Sequence, residues 1–152
     1  MERANPIANM KLWEFLDSLP DLDFKNALEV AMGDALVTQG VLHERFEEVD
    51  MFDRKEDPVK AAELLKEKFP KIKRITQCLM QTYRFQTKYN LIVMRWCSGF
   101  LNDFQLKEFL MKAQDNLKKC LSDGWRDTTQ RSYIVLIDNI ATEGEKPPKR
   151  KG

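Results

Sequence analysis

Residues 71–101 read KIKRITQCLMQTYRFQTKYNLIVMRWCSGFL, and the conformation assigned to them decides the fold. Residues 71–90 hold no acid, in a chain with 25 Lys and Arg against 24 Asp and Glu. Set on a helix at about 100° per residue, Lys73, Gln77, Gln81, Arg84, Lys88 and Arg95 share one arc, with Arg74 at its border. Ile75, Leu79, Tyr83, Tyr89, Val93, Trp96, Cys97 and Phe100 take the opposite side. At the helical rise, Lys73 to Arg95 spans about 33 Å. Beyond Tyr89 the pattern changes, because Leu91 and Ile92 enter the polar arc with Met94 beside them. A helix apolar nearly all round belongs inside a protein. The stretch therefore predicts one long helix whose end, 89–101, is a central hydrophobic helix. Arg95 in that setting requires an acidic neighbour, since a buried lone charge is costly.

Outward from this segment, the chain again reads as helical. Leu12, Trp13, Phe15, Leu16 and Leu19 give an apolar side to a helix over 7–18, ended by Pro20. Phe24, Ala27, Leu28, Ala31 and Ala35 recur at helical spacing after Asp23, a good N-cap, with Gly40 as the stop. A short acidic helix is expected over 41–52. Asp57 and Pro58 mark the start of another, running to Phe69. Asn102 or Asp103 opens a helix over 104–123, ended by Gly124. Residues 128–141 are read as a last helix, with a strand as the alternative because of their β-branched run. The expected fold is all-α: a compact bundle of six or seven helices, forming a single helical domain over 1–142 with a disordered basic tail over 143–152.

Composition limits the functions available. The chain has 152 residues, a length suited to one domain, and 43% hydrophobic residues, enough for a core. It contains no apolar run long enough to span a membrane, and the N-terminus does not resemble a signal peptide. Cys78, Cys97 and Cys120 form no CxxC pair, so neither a disulfide framework nor a zinc site is expected. The location expected is intracellular, cytoplasmic or nuclear, with the basic residues of 146–151 as a weak nuclear signal.

Catalytic chemistry finds little support. His43 is the sole histidine and has no Gly-rich elbow beside it, so an enzyme built on a nucleophile–base pair would rest on that residue alone. The acidic run 44–57 lacks the glycine of an EF-hand loop. The glycine-rich phosphate cradles are missing. No catalytic, cofactor-binding or metal residues are therefore assigned.

Charge is distributed unevenly. Residues 1–67 carry a net −8, residues 68–102 a net +7 and residues 103–152 a net +2. Together with seven Met and many aromatics, this favours a non-enzymatic interaction module, an adaptor or complex subunit that binds a peptide or helix of another protein. The alternative is nucleic-acid binding through the basic face 73–95. Partner-binding candidates are Lys73, Arg74, Gln77, Gln81, Arg84 and Lys88, with Trp125 and Arg126 as an anchor pair. No cofactor and no membrane contact are expected.

Overall fold

The computed structural model describes residues 6–119 and 131–138. It is an α/β fold and not a helical bundle. Helix α1 (Pro6–Ser18) precedes strand β1 (Asn26–Val30). A π turn at Thr38–Leu42 runs into the short α2 (His43–Arg45), followed by β2 (Glu48–Asp53), α3 (Glu56–Lys68) and β3 (Ile72–Gln77). Then come β4 (Leu91–Arg95), α4 (Asp103–Asp115) and β5 (Tyr133–Ile137). The five strands form one sheet in the order β3-β2-β1-β4-β5. Every pairing is parallel, with Val30 level with Phe52 on one side and Met94 on the other.

This arrangement corrects the reading of residues 70–101 as one helix. They hold β3, a 3-10 turn at Met80–Thr82, an extended loop, β4 and a second turn at Ser98–Phe100. The apolar residues of 89–101 are central, but as a strand: Leu91, Ile92, Val93 and Met94 are all fully buried. A parallel strand covered on both faces has no polar side, so it is written as a continuous apolar run. The same reason corrects the helix expected after Asp23, whose centre is β1, and the acidic helix over 41–52, most of which is β2. Residues 133–137 take the strand alternative. The helices read at 7–18 and from Asp57 are present as α1 and α3. Helix α4 begins after Asn102, whose side chain accepts from the Gln105 N–H while the Gln105 side chain accepts from the Asn102 N–H. The expected tail over 143–152 lies outside the described residues.

Two cores flank the sheet. On one face Leu12 and Leu16 of α1, Val41, Leu42 and Phe46 around α2, and Ala62 of α3 pack on Ala27, Val49, Met51, Leu91 and Val93. On the other, Phe109 and Ala113 of α4 join Met80, Tyr83 and Tyr89 against Leu28, Val30, Phe52, Ile92 and Met94. Consecutive residues of each central strand thus serve opposite cores, at about 1.5–3 kcal/mol for each large side chain buried. The chain leaves β1 towards β2 and returns from β3 to β4 on the other side of β1. The loops following β1 and β4 therefore part in opposite directions, and a crevice opens between them.

Candidate functional site

The crevice lies beyond the carboxyl ends of β1, β2 and β4 and has a volume of about 410 Å³. Its floor is the loop after β1. Ala31, Gly33 and Ala35 hold φ values of 49°, 51° and 55°. This left-handed conformation suits glycine and disfavours a residue carrying Cβ. The loop is tied down by hydrogen bonds. Met32 N–H donates to Phe52 O at 3.0 Å, Gly33 N–H to Asp53 Oδ2 at 3.0 Å, and Ala35 N–H to Met32 O at 2.8 Å. A Cβ placed on Gly33 would meet nothing within 4 Å, so the backbone there can be approached from the crevice.

Two carboxylates support this floor. Glu29 on β1 is buried; it accepts from Val37 N–H at 3.3 Å, Thr38 N–H at 3.1 Å and Thr38 Oγ1 at 2.6 Å. Burial pushes its carboxyl up to about 7, against the opposing pull of those hydrogen bonds and of nearby Arg95. Asp53, the last residue of β2, accepts from Gly33 N–H and from Lys55 N–H at 2.9 Å. Four lone-pair directions on its two oxygens leave room for further donors.

The opposite wall belongs to β4. Arg95 is half-buried; its guanidinium lies 4.1 Å from the Trp96 ring centroid, and Nη1 donates to Asn9 Oδ1 of α1 at 3.1 Å. Trp96 is itself left-handed, at φ 53°, and its N–H donates to Ile137 O. At the rim, Arg54 lies over Phe100 at 5.2 Å. Cys97 is buried, and burial followed by Asp138 pushes its thiol up to about 12, so it is no nucleophile at neutral pH. No group of three or more His, Cys, Asp or Glu suited to a metal occurs among the described residues.

The residues proposed from sequence as a partner-binding stripe do not form one. Lys73, Arg74 and Gln77 lie on β3, where neighbours point to opposite faces. Lys73 donates to Pro70 O, and Arg74 donates from both N–H and Nη1 to Asp50. Gln81 is in the 3-10 turn and lines the crevice; Arg84 and Lys88 are exposed in the loop leading to β4. Trp125 and Arg126 lie outside the described residues. His43 packs against Phe69 with the two rings tilted, away from the crevice. Glu29, Gly33, Asp53 and Arg95 were not singled out as a site by sequence. One signal was present: a short run, Ala27–Val30, apolar but for Glu29, followed by A-x-G-x-A, with an acid about 20 residues further on.

Parallel sheets of this order hold dinucleotides and related ligands where the strand order reverses, and the β1–β4 crevice lies at that point. The chain therefore falls in the class of Rossmann-like α/β domains. Within that class its fold is that of the S-adenosylmethionine (AdoMet)-dependent methyltransferases. A Leishmania major methyltransferase of this kind superposes with a TM-score of 0.74 at 20% identity, over 90% of this chain and 51% of that one. One from Clostridium acetobutylicum superposes with a TM-score of 0.64 at 17% identity, over 77% and 47%.

The chain belongs to the AdoMet dependent proline di-methyltransferase family, whose model matches residues 12–146. It is similar to N-terminal Xaa-Pro-Lys N-methyltransferase 1 of Homo sapiens, 31% identical over 120 residues, covering 78% of this chain and 49% of that protein. The type 2 enzyme of Danio rerio is 29% identical over 125 residues, covering 80% and 41%. The chain spans about half the length of the curated relatives it matches. Membership in a methyltransferase family overturns the expectation of a non-enzymatic adaptor, together with its nucleic-acid alternative. No helix among the described residues is long and apolar enough to cross a membrane.

Proposed function

We propose that this chain is the cofactor-binding part of an AdoMet-dependent N-methyltransferase acting on the amino group at a protein's N-terminus. The observation that carries this reading is the β1–β4 crevice, with its loop folded onto Asp53, inside the stretch that the family model matches. The acceptor class comes from the similar N-terminal Xaa-Pro-Lys methyltransferases.

The crevice chemistry fits an adenosyl ligand. A volume of about 410 Å³ falls in the range of small-molecule sites. Asp53 ends β2 with carboxylate lone pairs to spare, the acceptor that a ribose hydroxyl pair requires. Gly33 exposes backbone where close approach is needed. AdoMet, when bound, supplies an electrophilic methyl on a sulfonium. The chain's residues do the positioning: Asp53 would hold the hydroxyls, and Glu29 holds residues 37–38 and with them the far end of the loop.

Isothermal titration with S-adenosylhomocysteine tests the cofactor half of the reading. Binding is expected, with Asp53→Ala weakening it about tenfold or more through loss of charge-assisted hydrogen bonds. A folded wild-type protein that binds no adenosyl ligand at millimolar concentration overturns the proposal. Methyl transfer to a peptide beginning Xaa-Pro-Lys, followed by mass spectrometry, tests the acceptor.

A further inference from the structure

We propose that Arg54 and Phe100 form a latch across the mouth of the crevice, which slows the entry and the exit of an adenosyl ligand alike. This rests on the cofactor reading above and adds a kinetic control to it.

The two residues belong to opposite rims. Arg54 follows β2 directly, and Phe100 closes the turn after β4. Strand β1 runs between β2 and β4, so the two rims rise from strands two spacings, about 10 Å, apart. Both residues line the crevice, and the Arg54 guanidinium lies 5.2 Å from the Phe100 ring centroid. Attraction between a cation and an aromatic ring operates within about 6 Å. The side chains therefore meet over a gap that the strands leave open.

The rims are firm and the bridge between them is not. Asp53 accepts from Cys78 N–H through its carbonyl and from Lys55 N–H through its carboxylate, which holds the backbone beside Arg54. On the other rim, Phe100 N–H donates to Cys97 O, Leu101 N–H to Ser98 O, and Ser98 Oγ to Asp138. The side chains that meet are exposed, Phe100 by 60%. Exposed side chains change rotamer within picoseconds to nanoseconds, so the latch opens with the sheet at rest. A gate this fast slows passage only by the fraction of time it is shut. Where it shuts equally over an empty and a filled crevice, its loss raises association and dissociation by one factor and leaves Kd unchanged. Loss of an ordinary ligand contact raises dissociation alone.

Stopped-flow mixing with S-adenosylhomocysteine reads both rates, followed by tryptophan fluorescence because Trp96 lines the crevice. Arg54→Met and Phe100→Leu should each raise both rates about two- to fivefold, the range for an exposed cation–ring pair, with Kd from isothermal titration unchanged. The double variant should be no faster than the single ones, since each already removes the pair. Arg54→Lys keeps the cation and should stay nearer wild type. Phe100→Trp offers a stronger ring and should slow both rates, a change that misfolding cannot imitate. Faster dissociation with unaltered association overturns the latch and makes these residues direct ligand contacts. Wild-type rates in both Arg54→Met and Phe100→Leu overturn it as well, with the cofactor reading intact. Wild type that binds no S-adenosylhomocysteine overturns the cofactor reading and the latch with it.

Discussion

Exchanging alanine for glycine should have opposite consequences at different places in this fold. In α3, Ala62 is helical and 1% exposed. Its replacement by glycine forfeits about 1 kcal/mol of helix propensity and about 0.8 kcal/mol for the buried methyl. The expected loss is roughly 2 kcal/mol. At Ala31 and Ala35 the backbone is left-handed, which burdens a Cβ-bearing residue by about 1–2 kcal/mol and glycine hardly at all. Against that relief stand the extra freedom of glycine in the unfolded chain, about 0.4–1 kcal/mol, and the lost methyl. Ala31 is half-buried, so at mid-range values Ala31→Gly should be stabilising by about 0.4 kcal/mol. Ala35 is 1% exposed, and the terms should cancel to about zero. Urea denaturation of the three variants, read as midpoint shifts at constant slope, measures the contrast. Loop variants as damaging as Ala62→Gly would refute the claim that these two alanines are held against their own preference.

Three further substitutions probe two buried carboxylates, Glu29 and Asp50. The raised Glu29 carboxyl means that the folded state holds this proton more tightly than the unfolded chain, whose ordinary value is 4.5. Its stabilising contribution is therefore complete below about pH 4.5 and is lost as pH rises to about 7, a change of about 3 kcal/mol. Between pH 5 and 8, wild type should lose stability relative to Glu29→Gln; of the charged or titratable neighbours, Arg95 stays protonated and Cys97 stays neutral. Parallel stability curves for the two proteins would count against the assignment. On the other face of the sheet, Tyr89 OH donates to buried Asp50 at 2.6 Å. Tyr89→Phe should cost about 1.5–3 kcal/mol, the range for a hydrogen bond to a charged group. Arg74→Met should cost less than about 1 kcal/mol, because the Arg74 side chain is 47% exposed where it meets Asp50. Chemical denaturation distinguishes the two, and a Tyr89→Phe loss below that of Arg74→Met would reverse the ranking.

The helices that sequence made legible are those with one wet face. α1 and α3 keep the amphipathic period, and α4 also carries its Asn102–Gln105 cap in the sequence. The strands were hidden by their own burial. In β1, Ala27 serves one core and Leu28 the other, so the alternation that would announce a strand is filled in with apolar residues. Phe24, Ala27, Leu28, Ala31 and Ala35 then match a helical period although only Ala27 and Leu28 belong to a strand. In β4 the run Leu91–Met94 is too short to separate a buried strand from a buried helix by periodicity. The basic stripe failed for the same reason: once β3 and β4 replace a helix, its arc no longer exists.

The site was concealed by a different cause. Local reading looks for glycine where a chain must turn left-handed, and at 31 and 35 the sequence offers alanine. The conformation is imposed from outside the loop. Phe52 O and Asp53 Oδ2 take the N–H groups of Met32 and Gly33, and Glu29 takes those of Val37 and Thr38. These bonds run from β1 and β2 to a loop that neither strand's sequence would place beside them without the sheet already formed. Each is worth about 1 kcal/mol or more when buried or charged. Together they exceed the roughly 1–2 kcal/mol that each left-handed alanine opposes. The glycine-loop shape therefore survives here as a property of the sheet's carboxyl edge, not of the residues that trace it, and so a motif search passes over the crevice.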